Sequence, residues 1–429
     1  MDIISQAKRF VESLRELANR SVWDWRRCSH CGSTLTCKYG SYTRHPWFFE
    51  GRRAVRVQRH RCHSCRRTYS EQSALLIRGS WYAREVHRLA IDHWQHMRSS
   101  LRRTAEWVRS WLGHQERWQL WRPLAEREVG RELCYLAPST VYRWQDKAGK
   151  RAKETIPEQL ADVPTSGQVG TDGLWVRLRG GAERVVLVLV DCLSGLVWPP
   201  VVVASEDSEL AWDKLFSRAE KAGLKLDALR GIVSDGSKGL FGYLKGALRW
   251  VNHQRCVWHI WRSLANIILD EAREAAAGLT GAEARAKRQE VRRELAGLIR
   301  AILDATSYQN AEAALAKLKA HARGARLAAA IASNLDAALV HLQEYNRGLT
   351  RIGPEWLWRD FRLRVSRGRN HGSDQRYERA ALVWAVYHNF TPAQWRSERK
   401  RHYRRPGQSP LAKAGIPPGE LSYLDALSV

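Results

Sequence analysis

VGTDGLWVRLRG (residues 169–180), ERVVLVLVDCLSG (183–195) and LVWPPVVVAS (196–205) read as three successive strands, because β-branched and other apolar residues dominate each run. Gly180 and Gly181 supply the first turn, so a meander is expected. Ser205, Glu206 and Asp207 then open a helix that ends near Gly223, with Trp212, Leu215, Phe216 and Ala219 on one face. LRGIVSDG (229–236) reads as a fourth strand. A helix over 239–248, a strand within NHQRCVWH (252–259) and another helix follow. The order β-β-β-α-β-α-β-α predicts an α/β fold, a mixed sheet with helices packed on it.

Two acids stand out against this apolar background. Asp172 lies inside the first strand, between Thr171 and Gly173, and Asp235 ends the fourth. A carboxylate among apolar strand neighbours costs free energy unless it is paired or bound to a metal. If the two strands lie side by side the carboxylates meet, and like charges at that range require a cation. Two divalent ions about 4 Å apart would activate an attacking oxygen and stabilise a leaving one in phosphodiester chemistry. Asp191, at the end of its strand, reads as a turn residue, and Lys238 as a phosphate contact.

Composition changes along the 429 residues divide them into five segments: 1–80, 81–160, 161–267, 268–345 and 346–429. The first is rich in Cys, His and Arg, the second helical and rich in Trp, the third the alternating core, the fourth alanine-rich and helical. The last is mixed, with an arginine-dense stretch and a basic tail. Lys and Arg total 71 against 44 Asp and Glu, a net charge of +27 that calls for a polyanionic partner, nucleic acid above all. A membrane partner is not expected, because the longest apolar run (185–204) is broken by Asp191, Pro199 and Pro200. MDIISQAKRF at the start lacks the zones of a signal peptide, so a reducing cytoplasmic setting is expected. The eight cysteines then fall to metal binding or to the core.

Cys28 and Cys31 form one CxxC, and Cys62 and Cys65 a second. Four thiolates on two short knuckles suit one structural, tetrahedral zinc ion, with His30, Cys37 and His63 as lower-ranked alternatives. The intervening run, including WFFEGRRAVRVQRHRC (47–62), reads as strands of a zinc ribbon. Arg52, Arg53, Arg56, Arg59, Arg61, Arg66 and Arg67 crowd it, which points to phosphate. Farther on, LRRTAEWVRSWLG (101–113) and LAPSTVYRWQDKAGK (136–150) read as two helices. The second has Ser139 or Thr140 at its start and Arg143 and Lys147 one turn apart, as a helix-turn-helix recognition helix would. Most of the 20 tryptophans fill core, and some are placed to stack on splayed bases.

Taken together, TDGLWVRLRG (171–180), SEDSELAWDKLFSRAEKAGL (205–224), GIVSDGSKGL (231–240) and HQRCVWHIWRSLANI (253–267) resemble the Mutator-like branch of transposases found in bacterial insertion sequences. The resemblance implies a ribonuclease H-like core with an Asp, Asp, Glu triad. Asp172 and Asp235 match the two aspartates, and Cys256 and His259 match the Cys-x-x-His that this branch carries after the second. The block 268–345 sits where such enzymes insert helices, and the amino-terminal ribbon also looks like those of some insertion-sequence enzymes. Two Mg²⁺ or Mn²⁺ ions are implied at the triad. So is an activity: binding the terminal repeats of a mobile element in double-stranded DNA, freeing a 3′ hydroxyl and driving it into target DNA. Holding two ends together implies a homodimer or larger assembly, and the substrate implies a cytoplasmic, nucleoid-associated enzyme. For the third acid Glu355 is chosen: it leads PEWLWRDFRLRVSRGR (354–369), where a helix would carry Arg359 and Arg362 at i+4 and i+7 toward DNA. Glu378 in DQRYERAAL (374–382) is the main alternative, with Asp360 and Asp374 behind it. Rival readings are a catalytically inactive DNA-binding descendant and a nuclease that cuts without strand transfer.

Overall fold

The computed structural model describes residues 26–49, 51–71, 75–112, 136–161, 163–346, 349–366, 371–392, 408–418 and 421–427. The amino-terminal MDIISQAKRF, Cys134, Arg367, Arg369 and the basic tail across 393–407 lie outside the described residues. The chain divides into two compact units. One comprises the chain up to Val163, Arg177–Ala182 and the chain from Asp360 onward; the other comprises Pro164–Val176 and Glu183–Arg359.

In the first unit, β1 (Thr36–Arg44), β2 (Trp47–Phe48), β3 (Gly51–Arg52), β4 (Val55–Cys62) and β5 (Thr68–Ser70) make an antiparallel sheet of order β1-β4-β5 and a small β2–β3 pair. On β4 Val57, His60 and Cys62 are buried while Arg56, Arg59 and Arg61 are exposed; the period-two alternation changes phase at Gln58, where the pairing with β1 is irregular between Lys38 and Ser41. The helices α1 (Arg84–His96), α2 (Leu101–Leu112) and α3 (Pro138–Leu160) follow. Ala137 rather than a hydroxyl residue occupies the N-cap of α3, and Pro138 opens the helix. Ser139 and Thr140 therefore lie inside its first turn.

The second unit is built on β6 (Gln168–Arg177), β7 (Glu183–Asp191), β8 (Val201–Val203), β9 (Gly231–Ser234) and β10 (Asn252–Arg255) in the order β10-β9-β6-β7-β8. β9 runs parallel to both β6 and β10, whereas β7 and β8 are antiparallel, so the sheet is mixed. The expected third strand shrinks to three residues. Pro199 and Pro200 have no N–H to give a ladder, and only a single bridge, Val190 to Val197, precedes them. Helices α4 (Glu209–Lys221) and α5 (Lys238–Ala247) follow β8 and β9, and α6 (Val257–Ala275) follows β10, completing the expected order. Trp212, Leu215, Phe216 and Ala219 form the buried face of α4.

After α6 the chain adds α7 (Gly281–Leu303), α8 (Tyr308–Ala320), α9 (Ala325–Ala332) and α10 (Leu335–Ala338). These helices share an aliphatic core with α6, including Ile260, Leu264, Leu295, Ile299, Leu318 and Ile331. The chain then runs through α11 (Glu355–Phe361) into a π turn, Arg362–Ser366. The α periodicity of Glu355–Phe361 thus gives way to a wider turn from Arg362 onward. The last long helix, α12 (Asp374–Phe390), belongs to the first unit, where Gly149 of α3 lets the Arg379 backbone approach: a Cβ there would lie 2.4 Å from the Arg379 carbonyl oxygen. No described helix is long and apolar enough to cross a membrane.

Candidate active site and metal centre

The two CxxC pairs converge. Cys28 Sγ lies 3.6 Å from Cys65 Sγ, Cys31 Sγ lies 3.6 Å from Cys62 Sγ, and all four sulfurs fall within 4.8 Å of one another. Tetrahedral Zn–S bonds of about 2.3 Å place sulfurs about 3.8 Å apart, so this cluster could bind zinc. Backbone geometry builds the knuckles: the His30 N–H points at Cys28 Sγ (3.4 Å), and the residue after each second cysteine, Gly32 or Arg66, takes positive φ. The Cys62 thiol is lowered to about 6, first by the backbone N–H of Cys65. Cys37 lies on β1 opposite Arg61 and is not among the clustered ligands. The seven nearby arginines are all exposed, and Arg59 and Arg61 lie over the exposed Tyr39 ring at 5.8 and 5.5 Å.

In the second unit, the parallel register Gln168↔Gly231, Val169↔Ile232, Gly170↔Val233, carried two residues on, sets Asp172 level with Asp235. Asp172 is 5% exposed; its Oδ2 accepts from Trp358 Nε1, and its Oδ1 from the Gly173 N–H at 2.9 Å. Burial above all, with the charges of Asp235 and Glu355, pushes its carboxyl up to about 7 against the Trp358 N–H and His259, which favour the charged form. Asp235 is partly exposed, and its Oδ1 accepts from the Ser237 N–H at 3.3 Å.

Glu355, the first residue of α11, reaches the same place. Its Oε1 accepts from Cys256 Sγ at 2.7 Å and lies 3.1 Å from His259 Nδ1, while its buried Oε2 has no hydrogen-bond partner among the described residues. Burial raises the Glu355 carboxyl, but His259 and Cys256 outweigh this and hold it below the ordinary range. His259 is the reverse: burial lowers it, and Cys256, Glu355 and Asp172 push it up to about 10. His259 is shared by two groups whose ligand atoms lie within 4.8 Å of each other, Asp172–Asp235–His259 and Cys256–His259–Glu355. The structure thus brings together Asp172, Asp235, Glu355, Cys256 and His259.

A fourth carboxylate, Glu206, also belongs here, although the residue pattern assigns it to a helix. α4 instead begins at Glu209, because the Glu206 carbonyl accepts from Trp212 Nε1 (2.7 Å) and the Asp207 N–H turns back onto Ser205 Oγ (3.1 Å). Glu206 Oε1 accepts from Trp175 Nε1 at 3.1 Å, and Oε2 occupies the space above Gly173, where a Cβ would lie 2.1 Å away. Burial and then the charge of Asp235 raise its carboxyl. The available signal was Gly173 itself, since a strand glycine marks a close approach.

The remaining candidates are distributed over both units. Lys238 is exposed as the first residue of α5, Arg359 is exposed on α11, and Arg362 is exposed at the start of the π turn. Arg143 and Lys147 share the exposed face of α3 in the first unit. Glu378 is buried on α12 in that unit, 3.8 Å from Lys153 Nζ, and Asp360 there accepts from Arg364 Nε (2.9 Å) and Trp384 Nε1 (3.2 Å). Asp374 opens α12.

Residues 200–348 match a family model described as Transposase, Mutator family. The matched span holds Glu206, Asp235, Cys256 and His259 together with α4 to α10; Asp172 and Glu355 lie on either side of it. No curated protein matches the chain.

Proposed function

We propose that this protein is a DNA transposase of the Mutator-like kind, with a ribonuclease H-like core, that cuts the ends of its mobile element and joins them to target DNA. The observation that carries the reading is the convergence of Asp172, Asp235 and Glu355 about His259 in one unit. The match of the intervening residues to a transposase family supports it.

The donor set fits hard divalent cations. Asp172 and Asp235 are closely placed carboxylates, and Glu355 Oε2 is a buried oxygen without a partner among the described residues. Asp172, Asp235 and Glu355 would hold Mg²⁺ or Mn²⁺, two ions in all, which supply Lewis-acid polarisation of a phosphodiester and a more acidic nucleophile when bound. The residues themselves prepare that site. Trp358 orients Asp172 through Oδ2, and Cys256 with His259 holds Glu355 through Oε1, leaving Oε2 available. Lys238 and Arg359, both exposed on helices beside the acids in sequence, would meet phosphates; Trp258, 41% exposed and beside His259, offers a face for a base.

The Cys28–Cys31–Cys62–Cys65 site would hold one structural zinc ion, and the arginine-covered ribbon together with Arg143 and Lys147 on α3 would bind the element ends, α3 acting as a helix-turn-helix-like recognition helix. Arg362, at the π turn, would add a further phosphate contact. The enzyme would work as a homodimer or larger assembly on cytoplasmic, nucleoid-associated DNA. The test is incubation of the purified chain with Mg²⁺ and DNA carrying the flanks of its own coding region. Joined products at defined ends are expected from the wild type, and none from Asp172→Asn, Asp235→Asn or Glu355→Gln, while Glu378→Gln retains activity. Cutting without joining would favour a nuclease, and binding without cutting an inactive descendant.

A further inference from the structure

The helical block after α6 contains a feature that neither the acids nor the cysteines account for. Helix α7 segregates its charge. At about 100° per residue, Arg285, Arg288, Arg292 and Arg300 fall within an arc of about 120°, with Arg293 at its margin. Glu283, Glu290 and Glu294 lie on the opposite side, and Val291, Leu295 and Ile299 are buried in the core. A charged helix face is ordinarily just solvated, and such faces usually mix signs at i,i+4. This one does not.

All five arginines are exposed, and among the described residues none has a carboxylate within ion-pair distance. Neighbouring charges on the same block do pair: Lys287 with Glu290 (3.0 Å), Arg273 with Asp270 (3.0 Å), and Arg326 with Glu271 (3.3 Å).

The arginines also line a groove of about 700 Å³, closed on its other side by Trp261, Ala265, Ile268 and Leu269 of α6. The Arg300 guanidinium lies over the Trp261 ring at 5.6 Å. Trp261 is two residues beyond His259 on α6, about 200° around the helix, so the groove runs along a different face of the helix that carries His259. From Arg300 to Arg285 the helix spans about 22 Å at about 1.5 Å per residue, the length of roughly six base pairs.

We propose that the α6–α7 groove holds the phosphate backbone of duplex DNA flanking the bond to be cut, so that the helical insertion serves as a DNA clamp beside the acids. The proposal rests on the transposase reading for the identity of that bond. The DNA contact itself rests on the groove.

The experiment uses the full chain and a triple variant, Arg285→Gln with Arg288→Gln and Arg292→Gln, which touches only exposed positions. Binding of a fluorescent duplex is measured across a salt series, with the thermal midpoint as a check on folding. The slope of log Kd against log salt is expected to fall by about 0.9 for each phosphate contact removed, and Lys at the same three positions restores it. A folded triple variant with wild-type affinity and slope overturns the proposal. So does a variant whose only change is in self-association, which would make the groove a protein interface. If wild-type protein shows the groove-dependent slope yet never cuts or joins DNA, the clamp stands and the transposase reading fails. Cutting and joining with no groove dependence does the reverse, so that the clamp fails and the transposase reading stands.

Discussion

Arg66 holds φ at 59° after the second CxxC, and Gly32 holds 73° after the first, so the two halves of the cysteine site use one left-handed turn each. Only the first has the residue that adopts it without strain. Nothing lies within 4 Å of a Cβ at Gly32, so Gly32→Ala tests backbone strain alone and is expected to cost about 1 kcal/mol. Arg66→Gly is expected not to destabilise. Urea unfolding of zinc-loaded protein checks both, and a harmless Gly32→Ala would refute the strain account. At the carboxylate cluster, Glu206→Gln keeps the shape of a side chain that faces Asp235 and removes its charge. Weaker Mn²⁺ binding, by about tenfold, is expected by paramagnetic resonance, with a parallel loss of cutting. Unchanged Mn²⁺ affinity would leave Glu206 as a structural partner of Trp175. Asp172 and Asp235 were legible in sequence because a strand acid among apolar neighbours is conspicuous. Glu206 was not, since Ser-Glu-Asp before an apolar face is also how a helix starts.

The turn after β7 depends on one side chain. Asp191 Oδ2 accepts from Ser166 N (2.7 Å), Ser166 Oγ (2.7 Å) and Thr165 Oγ1 (3.2 Å), while Oδ1 accepts from Ser194 N (2.8 Å), Ser194 Oγ (2.8 Å) and Leu193 N (3.1 Å). Burial raises this carboxyl, but the donors outweigh it and hold it below its ordinary value. A depressed carboxyl stabilises fully above the unfolded value of about 3.9 and loses that contribution as pH falls through the folded one. Asp191→Asn, which cannot accept at its nitrogen, should lower stability by roughly 1–3 kcal/mol near neutral pH, and the gap to wild type should close in acid. A gap independent of pH would disprove the charge's role. The same element scale governs the cysteine site: one zinc per chain is expected by metal analysis, falling to none in a Cys62→Ser, Cys65→Ser variant. Here the residue pattern is informative, because a CxxC pair encodes its own local geometry. The shortening of β8 by Pro199 and Pro200 and the late start of α4 follow from backbone donors and an indole N–H, which residue patterns express weakly.

Across the whole molecule, the net charge of +27 predicts that nonspecific DNA binding weakens steeply with salt. Affinity unchanged between low and moderate salt would contradict a phosphate-binding role for the exposed arginines around the four-cysteine cluster and on α7. The element order of the core was legible, since each strand and helix carries its own period. The pairing of β6 with β9 was only a conditional inference, because 53 residues separate Arg177 from Gly231 and the chain offers other apolar strands. The placement of α12 was not legible at all. From Ala380 onward it is buried on nearly every face, and a helical stretch apolar all round does not announce its neighbour. Spacing also enters through Gly239 at the second residue of α5. A Cβ there would lie 2.5 Å from the Glu206 carbonyl oxygen and 2.6 and 2.8 Å from backbone atoms of Asp207 and Ser208. In a saturation-mutagenesis library selected for DNA joining, position 239 should therefore be depleted as severely as the acids, although it has no functional group. Tolerance maps of this chain will report clearance as well as chemistry, and acid-to-amide substitutions are what separate the two.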